Sequence, residues 1–174
     1  MKNKHRRSLR YIHLWSTLLL AFLLSGCWAY KLNDASVPAD VCTVRIGFIE
    51  NKAPLVNPQL SPALSERLRQ KILNQTRLTQ VNNDNADWIL TGFVQDYAVS
   101  TTGITDQRVA SNRLTVTVKM TLTKKGAAQP EDITITRNFD FNANLALQTY
   151  QVQNLDEIVR FLTDDIFNRI FSNW

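Results

Sequence analysis

Apolar and polar residues alternate without exception from Arg113 to Thr123. Successive side chains of a strand point to opposite faces of a sheet, so this segment predicts a strand with one buried and one polar face. The predicted buried face consists of Leu114, Val116, Val118, Met120 and Leu122. The predicted outward face is rich in hydroxyl groups and consists of Arg113, Thr115, Thr117, Lys119, Thr121 and Thr123.

Three further segments predict strands. The first is 42–49, with Cys42, Val44, Ile46 and Phe48 on its apolar face. The second is 88–97, which is apolar on both faces. The third is 133–141, where Arg137 interrupts the apolar face. A fourth, short strand is predicted over 78–81 and precedes the asparagine-rich turn 82–85, which predicts a hairpin into the strand at Trp88. Gly92 predicts a bulge or a close backbone approach. The polar segment 100–112 predicts a long loop.

Two segments have the residue spacing of amphipathic helices. The first opens at Ser61, which predicts an N-cap, followed by Pro62 at the first helical position. Its apolar residues recur every fourth position and are Leu60, Leu64, Leu68 and Ile72. The second opens at Asn154, which predicts a cap with Glu157 reaching back to it. Its apolar face consists of Leu155, Ile158, Val159, Leu162, Ile166 and Ile170, widened by Phe161, Phe167 and Phe171.

The predicted elements follow the order strand, helix, four strands, helix. One-sided strands and one-sided helices bury their apolar faces against each other. The sequence therefore predicts an α+β fold, a two-layer sandwich in which two helices pack on one face of a mostly antiparallel sheet of four to five strands. Residues 42–174 form the predicted domain, which is long enough to bury such a core.

Residues 1–26 have the pattern of an export signal. A basic segment precedes the apolar run Leu14–Leu24, which is too short to span a bilayer. The sequence Leu24-Ser25-Gly26-Cys27 is similar to a bacterial lipobox. It predicts a lipoprotein signal peptide over 1–26, lipid attachment at Cys27, and a lipid anchor and tether over 27–41, with the membrane as a partner through this lipid.

The alternative is an ordinary secretory signal, after which Cys27 would pair with Cys42 in a disulfide. Acylation of Cys27 leaves Cys42 without a partner thiol. Because Cys42 falls on the apolar side of a predicted strand, we expect a buried and unreactive thiol there.

Charge and composition narrow the function classes. Five of the 20 basic residues and none of the 15 acidic residues lie in the signal segment, so the rest of the chain is neutral and no nucleic-acid partner is expected. Both histidines, His5 and His13, lie in that segment as well. The rest of the chain therefore lacks the usual catalytic base and the commonest zinc ligand, and we expect no enzyme, no cofactor and no metal.

Three segments resemble the Bacteroidetes branch of the lipopolysaccharide-assembly lipoprotein family, LptE. They are NKAPLVNP at 51–58, SNRLTVTV at 111–118 and DIFNRIFSNW at 165–174. The resemblance implies a two-helix α+β outer-membrane lipoprotein that plugs a β-barrel of the lipopolysaccharide translocon, assists its folding and contacts lipopolysaccharide. Trp28 agrees with outer-membrane residence, because an aspartate at that position retains proteobacterial lipoproteins in the inner membrane. Residues 29–32 lack the acidic cluster of surface-exported lipoproteins, which favours a periplasm-facing orientation.

Contact with lipopolysaccharide phosphates would require lysine or arginine in loops at one end of the sandwich. One candidate set is Lys124 and Lys125 in a turn, and the other is Arg108 and Arg113 at the long loop. A meander places the two sets at opposite ends. The alternative for each set is ordinary solvated charge.

The threonine-rich face has two interpretations, contact with the polar lumen of a barrel or simple solvation of a strand-favouring residue. At the level of function, the alternative to a translocon subunit is an accessory lipoprotein of another envelope assembly or transport machine.

Overall fold

Five strands form one sheet in the computed structural model, which describes residues 37–105 and 108–172. The strands are β1 (Thr43–Asn51), β2 (Thr79–Gln80), β3 (Trp88–Thr105), β4 (Arg108–Lys124) and β5 (Glu131–Asn142). The helices are α1 (Leu60–Gln75), α2 (Leu147–Gln153) and α3 (Leu155–Phe171). The predicted signal peptide and Cys27 lie outside the described residues.

The sheet has the order β2-β1-β3-β4-β5. Strands β3, β4 and β5 form an antiparallel meander, whereas β1 runs parallel to both of its neighbours. The predicted α+β class is confirmed, with a mixed sheet. The predicted hairpin between β2 and β3 is wrong, because β1 lies between them. Helix α1 returns the chain to the end of the sheet at which β1 begins, so β2 runs parallel to β1.

A bulge changes the burial of β1. Its register with β3 advances three residues, from Ile46 to Ile49, while β3 advances two, from Leu90 to Gly92. The extra residue moves the alternation to the other face. Ile49 is therefore 1% exposed, whereas Phe48, predicted to be buried, is 59% exposed.

Cys42 is also exposed, and it precedes β1 instead of belonging to it. The prediction of a buried thiol is wrong because the strand pattern was extended one residue too far. Val41, its neighbour in the chain, is the residue that joins the core.

Helix α1 begins at Leu60 and not at the predicted Ser61 cap. The turn before it is closed by Asn57, whose side-chain oxygen accepts a hydrogen bond from the backbone N–H of Gln59 at 3.0 Å. The predicted apolar stripe is confirmed, and its four members Leu60, Leu64, Leu68 and Ile72 are each 0% exposed.

The described C-terminal region contains two helices where the sequence predicted one. The short α2 ends at Gln153, and the side-chain amide of the following residue, Asn154, donates to the carbonyl of Tyr150 at 2.9 Å. Because this contact directs the side chain back to α2, no side-chain cap forms on α3 and the predicted capping box is wrong. The buried face of α3 contains Ile158, Val159, Leu162, Thr163, Ile166, Phe167 and Phe171.

Gly92 permits a close approach between β3 and β4, as predicted. A Cβ atom at this position would lie 2.3 Å from Met120 Sδ and 2.8 Å from the carbonyl oxygen of Lys119. Both distances are far inside van der Waals contact, so the packing of these central strands requires glycine.

The segment predicted as a long loop, 100–112, is mostly strand. Strand β3 continues to Thr105 and β4 starts at Arg108, so the two form a long hairpin. Strand β5 stops opposite Ser111, and the tip of the hairpin is therefore a two-stranded ribbon. Backbone pairing of β3 with β4 defines this ribbon, and the sequence of 100–112 has no alternation of apolar residues that would reveal it.

Candidate interaction surfaces

Hydroxyl and amide side chains form a ladder across the outward face of β4 and β5. Thr115 Oγ1 donates to Asn138 Oδ1 at 2.9 Å, and the hydroxyls of Thr117 and Thr136 lie 3.1 Å apart. These residues alternate with the buried side chains of the same strands and therefore lie on the opposite face of the sheet. The ladder offers many hydrogen-bonding groups to a partner.

Two ion pairs neutralise the charges of this face. Arg113 donates to both carboxylate oxygens of Asp140, at 2.7 and 2.9 Å, and Lys119 Nζ lies 3.3 Å from Asp132 Oδ2. The hydrogen bonds from Arg113 lower the pKa of Asp140. The pKa of Asp132 is lowered by a hydrogen bond from Thr121 and by Lys119. Both acids stay ionised at neutral pH, so the face is polar with compensated charge.

The candidate lysines lie where β4 ends: Lys124 is the last residue of β4, and Lys125 is the first residue of the turn to β5. Lys124 Nζ is 3.0 Å from Glu131 Oε2 and 5.7 Å from the ring centroid of Trp88. The backbone N–H of Lys125 donates to the carbonyl of Asp87 at 2.7 Å, which fixes the turn against the start of β3. Among the described residues, Lys125 has no carboxylate partner within salt-bridge distance. The turn therefore presents one paired and one unpaired ammonium group.

Asp87 joins this turn to the start of β1. Its Oδ2 accepts from the backbone N–H groups of Cys42 at 3.0 Å and Thr43 at 2.9 Å, and from the Thr43 hydroxyl at 2.8 Å. The N–H of Cys42, followed by the Thr43 hydroxyl, lowers the pKa of Asp87. The chain thus enters the domain at the same end as the Lys124–Lys125 turn.

Both candidate arginines lie in β4, which agrees with the predicted strand at Arg113 and corrects the predicted loop at Arg108. Arg108 opens β4 opposite Thr105, and Arg113 pairs with Ser100. The two candidate sets lie at opposite ends of β4, as expected, because Arg108 and Lys124 are separated by about 50 Å of extended strand. Arg113 is already engaged by Asp140, and the structure does not bring the two candidate sets together.

An apolar surface that the sequence analysis missed lies on the loop between β1 and α1. Leu55 is 44% exposed and Val56 is 57% exposed. The loop is fixed at its base, because the N–H of Lys52 donates to the carbonyl of Val94 at 3.0 Å. The loop thus exposes two neighbouring apolar side chains at a fixed position. Their position between two prolines is the signal that could have indicated it.

Within residues 37–105 and 108–172, no group of three or more metal-ligating side chains is found. No helix in this range combines the length and apolar character needed to cross a membrane.

Comparison with known proteins gives one family. The model of the family described as LptE, lipopolysaccharide-assembly, matches residues 42–170. Among curated protein sequences, none matches the chain.

Solved structures are similar only at low identity. Rare lipoprotein B from Shewanella oneidensis is 22% identical, with 74% of this chain and 89% of that chain covered and a TM-score of 0.42. A minor lipoprotein from Acinetobacter baumannii is 15% identical, with 75% and 95% covered and a TM-score of 0.41. The PelC dodecamer from Paraburkholderia phytofirmans is 12% identical, with 77% and 89% covered and a TM-score of 0.46.

Proposed function

The chain belongs to the LptE family of lipopolysaccharide-assembly proteins, and from this premise we propose that it is the lipid-anchored outer-membrane subunit that plugs a β-barrel of the lipopolysaccharide translocon. The family is non-enzymatic, and membership makes the chain an envelope lipoprotein of lipopolysaccharide assembly. The barrel partner, the contact with lipopolysaccharide and the orientation towards the periplasm and barrel lumen belong to the proposal.

The family match carries this proposal, and the outward face of β4 and β5 supports it. The lumen of a large barrel is polar, so a plug must offer hydrogen-bonding groups without leaving uncompensated charge against the wall. The Thr115–Asn138 and Thr117–Thr136 contacts supply such groups, and the Arg113–Asp140 pair is neutral as a unit. The face suits a polar wall better than an apolar one.

Lipopolysaccharide contact is proposed at the Lys124–Lys125 turn in preference to Arg113. An arginine held bidentately by Asp140 would have to give up that pair to bind a phosphate. Lys125 forms no salt bridge among the described residues, although its charge contributes to the lowered pKa of Asp87, and it directly follows Lys124 in the chain.

Lipid attachment at Cys27 is proposed to hold the domain at the membrane. The ten peptide units from Cys27 to Val37 span at most about 35 Å when extended. Because the chain enters beside Asp87, the Lys124–Lys125 turn lies at the tethered end of the domain. The intact mass of the purified protein should exceed that of residues 27–174 by a lipid adduct, and the Cys27→Ser protein should lack the adduct.

Affinity purification from detergent-solubilised outer membrane tests the barrel partner. The wild-type chain should co-purify with a β-barrel of the lipopolysaccharide translocon, identified by mass spectrometry. Thr115→Glu/Thr117→Glu places two unpaired charges on the outward face of β4 and should reduce barrel recovery at least fivefold. Gln148→Glu/Gln153→Glu adds the same charge on exposed positions of α2 and should not.

Equal barrel recovery for both double variants would contradict the role of the outward face. Recovery of a different envelope machine would favour the accessory-lipoprotein alternative. Circular dichroism of each purified variant establishes that a loss of recovery is not a loss of folding.

A further inference from the structure

The two edges of the sheet differ in how far their backbone hydrogen-bonding groups are paired or covered. At one edge, β2 has only two residues, and part of the β1 backbone beyond it is satisfied by α1, where Ser65 Oγ accepts from the N–H of Ile49 at 2.9 Å. At the other edge, all 12 residues of β5 pair with β4 on one side, and no described strand pairs with the other. Exposed edges of this length are usually shortened, covered or charged in monomeric proteins.

Strand β5 does not carry free charge that would repel a partner strand. Its acids Glu131, Asp132 and Asp140 each form an ion pair with a lysine or arginine of β4. Arg137 is held by Asp165 of α3, with both carboxylate oxygens within 2.9 Å of its Nη1. The edge lacks the protection that unpaired charges give, so its free backbone groups are available to another chain.

Helix α3 turns this edge into one wall of a groove. The groove has a volume of about 390 Å³ and runs between the middle of β5 and the last turns of α3. Its walls include Thr134 and Thr136 of β5 and Asn168 and Arg169 of α3, with Ser172 at one end. An edge strand flanked by a helix is the arrangement in which domains bind an extended peptide as an added strand.

The charge of the groove selects the occupant. Asp165 is neutralised by Arg137, whereas Arg169 has no carboxylate within salt-bridge distance among the described residues. The groove therefore carries one unpaired positive charge beside polar amide and hydroxyl groups. A segment that pairs with β5 and carries a carboxylate would satisfy both the backbone and Arg169.

The geometry points to a strand-addition site on β5, where an extended segment of a partner protein adds to the sheet and places an acidic side chain against Arg169. This inference stands on the sheet edge and does not depend on the barrel plug.

A designed peptide tests it with the full-length chain in detergent. The probe is a blocked, fluorescently labelled octapeptide of alternating threonine and valine with one central glutamate. Fluorescence anisotropy should show saturable binding, and hydrogen exchange should slow at backbone amides of β5. The same peptide with N-methylated amides on its pairing edge cannot donate these hydrogen bonds and should bind at least tenfold more weakly.

Charge exchange tests the role of Arg169. Arg169→Glu should weaken binding of the glutamate peptide about fivefold, as expected for an exposed ion pair that becomes repulsive. The same variant should prefer a peptide with lysine in place of glutamate. Arg160→Glu changes an exposed arginine of the same helix that does not line the groove, and it should leave both affinities unchanged.

Three results would overturn the inference. They are absence of saturable binding, equal binding of the N-methylated peptide, or protection confined to amides outside β5. Light scattering distinguishes a second copy of the chain as occupant: a dimer that the peptide dissociates would replace the partner segment with self-association.

Discussion

Replacing Gly92 with alanine should destabilise the domain by overpacking its central strands. The added methyl group would lie 2.3 Å from Met120 Sδ and 2.8 Å from the carbonyl oxygen of Lys119. The thioether can move to another rotamer, but the carbonyl belongs to β4 and moves only with the strand. Small-to-large changes in a packed core cost about 1 to 3 kcal/mol, and the backbone contact places Gly92→Ala in the upper half of that range.

Shortening Met120 should relieve part of this cost. Met120 is 1% exposed, and Met120→Ala alone is expected to lower the free energy of unfolding by about 2 to 5 kcal/mol. In Gly92→Ala/Met120→Ala, the new methyl group at position 92 occupies space that the thioether vacated. The double variant should therefore be more stable than the sum of the two single changes by about 1 kcal/mol.

Urea unfolding followed by circular dichroism measures these energies on residues 27–174 with Cys27→Ser. Gly126→Ala provides the control, because Gly126 has φ +81° and no atom lies within 4 Å of a Cβ there. Its cost is local backbone strain and should add to that of Met120→Ala within about 0.5 kcal/mol. Additivity of Gly92→Ala with Met120→Ala would refute the proposed steric contact.

Other changes test separate parts of the molecule. Leu162→Ala/Ile166→Ala removes two side chains that are 0% exposed and should lower the free energy of unfolding by at least about 4 kcal/mol; an unchanged urea midpoint would contradict the packing of α3. The pKa of Asp87 is lowered in the folded protein, so its stabilisation is fully present above the unfolded pKa of about 3.9 and is lost as pH falls through the folded pKa; Asp87→Asn should be less stable than wild type at pH 7, and the difference should shrink as pH falls below about 3.9. Lys124→Glu/Lys125→Glu should weaken lipopolysaccharide binding most at low salt, because salt screens exposed charges. If the variant and the wild type bind equally well at both low and high salt, this turn is not the site.

The sequence predicts best those elements whose one face is buried. Strand β4 and the apolar faces of α1 and α3 were identified correctly, because each buries a regular set of side chains. The bulge in β1 and the ribbon of β3 and β4 were missed. A bulge changes the face of a residue without changing its type, and a ribbon held by backbone pairing leaves no apolar pattern.

The candidate surfaces depend on contacts between distant segments. Arg113 and Asp140 are 27 positions apart, and their ion pair follows from the register of β4 with β5. The groove on α3 likewise requires that the last turns of α3 lie beside β5. Residue types indicate that these side chains can bind phosphate or carboxylate. Only the strand register shows that Arg113 is paired with Asp140, and only the packing of α3 beside β5 shows that Arg169 has no such partner among the described residues.

The position of β1 determines how the domain responds to mechanical load. In the proposed arrangement, with a lipid at Cys27 and a partner that holds the domain, tension in the tether is transmitted to the N-terminal end of β1 at Thr43. Because β1 lies between β2 and β3 and runs parallel to both, this force loads the hydrogen bonds of the strand together, in shear. Arg77, which donates to the carbonyls of Val37 and Pro38, meets the force first, and the three hydrogen bonds from Cys42 and Thr43 to Asp87 follow. An edge strand pulled from a hairpin would instead break one bond at a time, so this topology suits a domain that must stay folded under tension.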